Sequence, residues 1–276
     1  MQTTEGMAGA FRALHDNAEP LVLVNVWDAV SACIAAGAGA AAVGTTSFGV
    51  AAAHGVGDGE LIAWSSVLLT IRAIADAVSV PVTADIEAGN GSTPDEVERS
   101  VRDVIDCGAV GVNIEDRSTT DPSGMRELGD QTARLSAARR AADRAGVAIF
   151  INARCDAWFG ATVPADARLD EVVKRAAAYR DAGADGLFVP GLLDLSTLAP
   201  LCDAVAMPVN VMAGLGAPSV AELAAAGVRR ISQGGNGFLT ALGAMADATR
   251  RYLDGELVPS LEHFGGGLAA LPALFA

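Results

Sequence analysis

Short apolar runs of strand length recur along the chain, and a longer segment of helical character follows each of them. Because these runs are apolar on both faces and alternate with helical segments, they are typical of a parallel sheet. The strands are predicted at 21–25 (LVLVN), 41–44 (AAVG), 80–85 (VPVTAD), 110–115 (VGVNIE), 148–153 (AIFINA), 186–190 (GLFVP), 208–212 (PVNVM) and 228–232 (VRRIS).

Helix start and stop signals lie between these runs. In TPDEVERSVRDVIDCG, Thr93 can cap a helix, Pro94 can occupy its first turn and Gly108 can end it. A second helix is predicted in DARLDEVVKRAAAYRDAGADG, where Gly183 closes the helix before the next strand. Its apolar positions are predicted to share one face: Leu169, Val172, Val173, Ala176, Ala177 and Tyr179.

Eight strand–helix units in 276 residues predict a closed (β/α)8 TIM-type barrel. A doubly wound open sheet is the alternative, but no strand is followed by a dinucleotide-type GxGxxG turn. No linker, low-complexity tail or charge block divides the chain, so residues 1–276 are expected to form a single domain.

The net charge of the chain restricts the kinds of molecule that it is expected to bind. A net charge of −14 would repel nucleic acid phosphates and anionic membrane surfaces, so neither is expected to bind. An anionic small substrate could still bind if a metal ion or an arginine reversed the sign inside one pocket.

Nothing in the sequence indicates export or membrane insertion. The amino terminus lacks a basic region followed by an apolar run, and Cys33, Cys107, Cys155 and Cys202 form no CxxC pair, so reduced buried thiols and a cytoplasmic location are expected. The uncharged stretch 29–53 is rich in Ala and Gly, and a helix–strand–loop reading fits it better than a membrane span.

Charged residues collect where the predicted strands end. Loops that follow the strands of a barrel meet at one rim, so residues distant in sequence become neighbours there. Asp85 and Glu87, spaced i and i+2 in PVTADIEAGNG, would project the same way if the strand continued through both. The other candidates at this rim are Asp28, Asp58, Glu115, Asp116 and Arg154.

Several carboxylates in one pocket favour a divalent cation, because each like charge raises the cost of ionising the next. Mg2+ or Mn2+ suits such oxygen ligands, whereas zinc is disfavoured because His15, His54 and His263 are scattered. Arg154 could hold a substrate carboxylate at two points, or it could instead form an ion pair with Asp156 or Glu115.

Four motifs, GVGDG, ADIEAGNG, NIEDR and NARCDA, occur in this order between residues 55 and 157. In order and spacing the chain resembles the isocitrate lyase/phosphoenolpyruvate mutase superfamily over about residues 20–255, in particular its 2-methylisocitrate lyase-like members. The resemblance implies a magnesium-dependent site for 2-oxo acids or their enolates. It also implies tetramers in which a carboxy-terminal helix crosses to a neighbouring subunit.

The resemblance assigns roles to individual residues. It implies that Asp85 binds the metal, that Glu87 assists through water, and that Glu115 is the acid of the IED motif. Asp58 matches the acid of the loop after strand two, and Arg154 the arginine that grips a substrate carboxylate. The same carboxylate would be held by the segment Thr45, Thr46 and Ser47, while Trp27 and Asp28 match an early loop more weakly.

The loop RSTTDPSGMRELGD at 117–130 departs from the superfamily pattern. The lyase branch carries there a Lys-Lys/Arg-Cys-Gly-His motif whose cysteine moves a proton, but this loop contains no Cys, Lys or His. Cys155 is expected to pack against the barrel wall and not to replace it. The mutase branch carries Lys-Thr-Asn, which Thr119 and Thr120 match only faintly.

The expected activity is therefore cleavage of a carbon–carbon bond in a small 2-oxo or 2-hydroxy di- or tricarboxylate, giving a 2-oxo acid. Asp58, or a water held by the metal, would remove the hydroxyl proton. Three alternatives stay open: phosphonopyruvate hydrolase or mutase chemistry, hydrolysis or decarboxylation of oxaloacetate, and non-catalytic binding of a 2-oxo acid. Asn210 is expected to border the substrate's tail, with Gly234 and Asn236 nearby.

A homo-oligomer, dimer or tetramer, is expected from the resemblance. The tail PSLEHFGGGLAALPALFA is apolar beyond Gly267, so it could exchange between subunits or pack on its own barrel.

Overall fold

The computed structural model describes residues 3–118 and 120–256. Eight parallel strands close into a barrel in the order β1 to β8, which confirms the predicted (β/α)8 architecture. The strands are β1 (Leu21–Val26), β2 (Val43–Thr45), β3 (Val82–Asp85), β4 (Gly111–Glu115), β5 (Phe150–Arg154), β6 (Gly186–Phe188), β7 (Val209–Met212) and β8 (Val228–Ser232).

Helices surround this barrel, since each crossover between parallel strands must return the chain to the same end. They are α1 (Thr4–Ala13), α2 (Ala29–Gly37), α3 (Ser47–Ala53), α4 (Trp64–Ala77), α5 (Pro94–Asp106), α6 (Leu128–Ala145), α7 (Arg168–Asp181), α8 (Leu195–Ala204), α9 (Val220–Ala225) and α10 (Asn236–Leu253). None of the helices in the described ranges combines the length and apolarity that crossing a bilayer requires.

The predicted caps of α5 are confirmed. The Thr93 hydroxyl accepts a hydrogen bond from the Glu96 N–H, and the Glu96 carboxylate accepts one from the Thr93 N–H, forming a capping box. Pro94 occupies the first turn, and Gly108 follows the helix with a φ of +94°.

The predicted core face of α7 needs one correction. Val172, Ala176 and Tyr179 are buried, but Ala177 is exposed and Arg175 is buried in its place. The long guanidinium side chain of Arg175 finds buried hydrogen-bond partners, which apolar periodicity alone does not reveal.

The uncharged stretch 29–53 forms α2, β2 and α3, so the helix–strand part of that reading is confirmed, but the segment expected to be a loop is a helix. Thr46 caps α3 by accepting a hydrogen bond from the Gly49 N–H at 3.4 Å.

Helix α1 covers the amino-terminal end of the barrel. Phe11 is fully buried and lies edge-on to Phe150 and to His15. Gly111 leaves room for it, because a Cβ at that position would lie 2.8 Å from the Phe11 ring. With one end of the barrel filled by aromatic side chains, the opposite end is left for the site.

Candidate active site

Barrel closure places three predicted residues side by side at the carboxyl ends of their strands. Asp85 ends β3, Glu115 ends β4 and Arg154 ends β5, and Glu115 is paired with Arg154 in the strand register. The Arg154 Nη1 lies 2.8 Å from the Glu115 Oε2. The predicted gathering of these residues at one rim is therefore seen in the fold.

Arg154 forms both of the ion pairs that the sequence allowed. Besides Glu115, it donates to both carboxylate oxygens of Asp156, from Nε at 2.6 Å and from Nη2 at 3.0 Å. Its guanidinium lies over the rings of Phe159 and Phe188, at 5.2 and 5.8 Å from the centroids. Burial would lower the pKa of Arg154, but the charges of Glu115 and Asp156 outweigh burial and raise it. The guanidinium is thus a fixed cation with its Nη1 side towards Glu115.

Asp85 is held by the segment between β2 and α3. Its Oδ2 accepts hydrogen bonds from the Ser47 N–H at 3.3 Å and hydroxyl at 3.0 Å, and its N–H donates to the Thr45 hydroxyl at 2.8 Å. The Thr46 N–H donates to the carbonyl of Val26. In this structure Thr45 and Ser47 therefore position Asp85, and Thr46 caps α3.

Glu87 does not continue the strand, so its side chain is not aligned with that of Asp85 by strand spacing, although both residues line the same cavity. Strand β3 ends at Asp85, and Glu87 has a φ of +52°, in the left-handed region. Its Oε2 accepts the Glu60 N–H at 2.8 Å. Burial, together with the charges of Asp58 and Asp85, raises the pKa of Glu87 to about 7.

The acids of the rim influence one another. Burial and then the charge of Asp85 raise the pKa of Asp58, against a hydrogen bond from Ser47 and the charge of Arg154. Burial also raises the pKa of Glu115, with contributions from Asp85 and Glu87. These carboxylates therefore lie within electrostatic reach of one another.

The side chains at the rim can be compared with the ligands that a metal ion requires. In the part of the chain that the structure describes, no three His, Cys, Asp or Glu side chains converge closely enough to hold a metal together. Magnesium is commonly bound by one or two carboxylates, with waters completing its shell. Asp85 and Glu87 line one cavity together with Thr45 and Ser47, and this set of oxygen donors fits that mode of binding, with Asp85 as the central carboxylate.

Asp116 lies beneath the rim and not on it, contrary to the prediction. It is fully buried, and its Oδ2 accepts from the Tyr179 hydroxyl at 2.6 Å and from Arg175 Nη1 at 3.1 Å. Its Oδ1 accepts the Asp156 N–H at 2.9 Å. Helix α7 thereby fixes the residue that orients Arg154. The sequence analysis did not predict this network. Its one sequence signal is Arg175, a charged residue next to the apolar face of α7.

The loop after β4 is anchored by the same group. The Arg126 N–H donates to the Asp116 carbonyl, and Arg175 Nη2 donates to the Arg126 carbonyl at 3.0 Å. Arg117 pairs with Met125 in an isolated antiparallel bridge. Cys155 is fully buried and burial raises the pKa of its thiol, so its expected packing in the barrel wall is confirmed. Thr119 lies outside the described residues.

Asn210 is buried inside the barrel, where its Oδ1 accepts the Ser232 hydroxyl at 3.0 Å. Its Nδ2 has no partner among residues 3–118 and 120–256. Asp28 lies in the loop after β1 and caps α2, where its Oδ1 accepts the Ser31 N–H at 2.7 Å. Asn236 Nδ2 donates to the Ala213 carbonyl at 2.8 Å, and the Gly234 N–H donates to a side chain of β1.

That side chain, Asn25, was not singled out from the sequence. Its Oδ1 accepts the N–H groups of Gln233 and Gly234 at 3.1 and 2.9 Å, which joins β1 to the loop after β8. Arg230 was also missed; it is buried within the barrel and its Nη2 lies 3.3 Å from the Asn113 Oδ1. Only barrel closure brings these residues, distant in sequence, together.

The sequence of this chain is similar to those of known proteins and to one family model. The family model of phosphoenolpyruvate phosphomutase matches residues 11–253. An uncharacterised protein of Mycobacterium tuberculosis is 35% identical over 251 residues, covering 91% of each chain. The 2-methylisocitrate lyase of Escherichia coli K12 is 33% identical over 205 residues, which cover 72% of this chain and 67% of that enzyme.

Solved structures with a similar fold include two related proteins. A protein of Burkholderia cenocepacia J2315, assigned provisionally as a phosphonomutase, is 42% identical with a TM-score of 0.86, covering 90% of this chain and 99% of that one. A 2,3-dimethylmalate lyase, described as a member of the PEP mutase/isocitrate lyase superfamily, is 25% identical with a TM-score of 0.84 and covers 97% and 94%.

Proposed function

This chain belongs to the phosphoenolpyruvate phosphomutase family, within the isocitrate lyase/PEP mutase superfamily of enzymes, and on that premise we propose that it is a magnesium-dependent carbon–carbon lyase. Its substrate would be a small 2-oxo or 2-hydroxy di- or tricarboxylate, and one product a 2-oxo acid. The observation that carries the proposal is a buried arginine, Arg154, fixed beside acids grouped around Asp85.

Arg154 would bind a carboxylate of the substrate through Nη1. That nitrogen now contacts Glu115, whereas Nε and Nη2 are committed to Asp156. Because Asp156 sets the plane of the guanidinium, the substrate carboxylate is offered a donor of fixed direction. Binding would displace Glu115 from Nη1. Because Glu115 stays in the pocket, the substrate adds negative charge, which the divalent cation would offset.

Asp85 would hold Mg2+ or Mn2+, and Glu87 and Glu115 would contact the ion through water. The ion would supply Lewis-acid polarisation of the 2-oxo group. Asp58 would accept the hydroxyl proton of the substrate as the carbon–carbon bond breaks, so that one carbon becomes a carbonyl and the other fragment leaves as a carbanion. The carbanion would take a proton from water, and Asp58 would return its own proton to water. Thr45 and Ser47 would act through Asp85, and Asn210 would border the substrate's tail.

Turnover tests this proposal. Purified protein with MgCl2 is offered 2-methylisocitrate, isocitrate, 2,3-dimethylmalate and oxaloacetate, and released pyruvate, glyoxylate or oxalate is measured. We expect one of these acids to be cleaved, the activity to be lost with EDTA and restored by Mg2+, and Asp85→Asn to abolish it. The matched control is Asp95→Asn in the exposed first turn of α5. Absence of every product with the wild-type chain would overturn the lyase assignment.

A second candidate activity involves a carbon–phosphorus bond. It is favoured by the 42% identity to the Burkholderia cenocepacia protein assigned provisionally as a phosphonomutase. Phosphate release from phosphonopyruvate, without cleavage of the carboxylic acids above, would establish this second candidate in place of the first.

A homo-oligomer, dimer or tetramer, also belongs to the proposal. An apolar groove of about 1380 Å³ lies over the outer face of β1, between α2 and α10. Helix α10 buries only Phe238 among its residues against the described chain, which leaves most of its apolar side chains uncovered. Val22, Val30 and Ile34 line the groove and are exposed, and α10 also exposes Leu239, Leu242 and Met245.

A patch of this kind marks an interface more often than a solvated surface, and a second copy of the chain is the occupant that the superfamily resemblance implies. The tail beyond Gly267 lies outside the described residues. Light scattering after size exclusion should give a dimer or tetramer, and Ile34→Arg in the groove should reduce its mass. Leu69→Arg, at an apolar position of α4 that is 71% exposed, is the matched control. A monomeric wild-type chain would refute the interface.

A further inference from the structure

Two loops at the rim are tied together by a reciprocal pair of hydrogen bonds. One loop, residues 54–63, carries Asp58, and the other, residues 86–92, follows β3 and carries Glu87. The Glu60 N–H donates to the Glu87 Oε2 at 2.8 Å, and in return the Asn90 N–H donates to the Glu60 Oε1 at 2.7 Å. Each loop therefore supplies one carboxylate and one backbone donor to the other, and we refer to Glu60, Glu87 and Asn90 as the latch.

Backbone strain in the described ranges is concentrated in the same three residues. The non-glycine residues with positive φ there are Glu60 at 58°, Glu87 at 52° and Asn90 at 47°. A left-handed conformation is costly for a residue with a Cβ, and it persists where neighbouring contacts impose it. Hydrogen bonds from backbone N–H groups to carboxylates are among the stronger ones, so the latch contains both the strain and the contacts that hold it.

The loop that carries Asp58 has few other restraints. Asp58 lies between Gly57 and Gly59, and Gly59 has a φ of +111°, so the local backbone is permissive. Residues 53–61 are exposed as whole residues, so packing in the core does not fix this loop, although the Asp58 carboxylate itself is partly withdrawn from water near Ser47. The latch is next to Asp58 along the chain and is therefore well placed to set where the Asp58 carboxylate lies.

The latch also borders the site itself. Glu60 and Asn90 line the same small cavity as Ser47, Asp85 and Glu87. A change in the latch would therefore alter the wall of the pocket that contains Asp85, the proposed metal-binding acid.

We propose that Glu60 is a positioning residue, whose carboxylate fastens the loop carrying Asp58 to the loop after β3 and so holds Asp58 at the mouth of the barrel. Glu60 contacts no reacting atom in this role. Its consequence for turnover rests on the proposed function of Asp58, but the existence of the latch does not.

Hydrogen–deuterium exchange on the ligand-free chain tests the latch directly. Glu60→Ala keeps the Cβ, and with it the cost of the left-handed backbone, but removes the carboxylate; Glu60→Gln keeps an oxygen that can accept the Asn90 N–H. We expect exchange in peptides covering 86–92 and 54–63 to rise by about tenfold in Glu60→Ala. Glu60→Gln should stay close to the wild type. Peptides from the strands should be unchanged in both variants.

Three results would overturn the proposal: no change in either variant, an equal rise in both, or a rise in Glu60→Ala spread over the whole barrel. Because this experiment needs no substrate, it distinguishes failure of the latch from failure of the lyase assignment. If a substrate is found, Glu60→Ala should lower kcat and Glu60→Gln should restore it. A role in folding alone would not produce that rescue in kcat.

Discussion

Removal of a single hydroxyl group beneath the site should measure what the α7 network contributes. In Tyr179→Phe the ring stays in the core, but the 2.6 Å hydrogen bond to the buried Asp116 carboxylate is lost. Arg175 and the Asp156 N–H still donate to Asp116, so its charge is not left alone. The hydroxyl also accepts a hydrogen bond from Arg175 Nη1 at 3.1 Å, but that nitrogen keeps Asp116 as an acceptor. The expected loss is therefore mainly that of the hydrogen bond to the charged carboxylate, about 1.5–3 kcal/mol of unfolding free energy.

This loss converts into a measurable shift in the thermal midpoint. For 276 residues, an unfolding entropy of about 2.1 cal/mol/K per residue amounts to about 0.6 kcal/mol/K, so the midpoint should fall by about 3–5 °C. Scanning calorimetry or circular dichroism measures it. The matched control is Tyr252→Phe, because the side chain of Tyr252 is 55% exposed and its hydroxyl can bond to water. If both variants melt together with the wild type, the buried hydroxyl contributes nothing and the reasoning is refuted.

Three further predictions concern Arg154, two glycines and His15. Arg154→Lys should lower kcat/KM at least about 100-fold, because an ammonium cannot bond to both oxygens of Asp156 and still aim a further donor at the substrate, as the guanidinium does; steady-state kinetics on the identified substrate measures it, and an unchanged kcat/KM would remove Arg154 from the site. Gly191→Ala should lower the thermal midpoint by several degrees, because φ is +84° and the new Cβ would lie 2.5 Å from the Trp158 carbonyl oxygen; Gly243→Ala in α10, which meets nothing within 4 Å, should not. The buried His15 has its pKa lowered from 6.5 to about 3, first by desolvation and then by the charge of Arg230. The unfolded chain therefore binds this proton more readily than the folded one, and stability should fall as the pH drops from about 6.5 towards 3. Urea titrations across this range should show a weaker dependence in His15→Phe, and an identical dependence would contradict the assignment.

Local sequence patterns were sufficient for the architecture. The apolar runs gave all eight strands within a few residues of their observed bounds, since a buried parallel strand must be apolar on both faces. The caps of α5 were predictable for a similar reason, because a capping box is formed by residues three apart. Ala177 shows the limit: its spacing was right for the core face of α7, but the structure buries the polar neighbour Arg175 instead.

The candidate site was predictable in its membership and less so in its contacts. Once the strands were known, the rim position of Asp85, Glu115 and Arg154 followed from the rule that the strand ends of a barrel meet at one face. Asp116 shows why position alone is insufficient. It directly follows Glu115, yet its side chain turns into the core towards Tyr179, 63 positions further along the chain.

The sequence by itself determined the order of strands and helices, the caps of α5 and the rim positions of Asp85, Glu115 and Arg154, because these depend on short-range periodicity and on where strands end. Tertiary structure alone decided which carboxylate meets which donor. Glu87 contacts Glu60 across 27 positions and Asp156 contacts Asp116 across 40, and both distances are closed only when the barrel closes. A hydrogen bond requires its atoms within about 3 Å of each other. No pattern along a single chain specifies that proximity for residues so far apart.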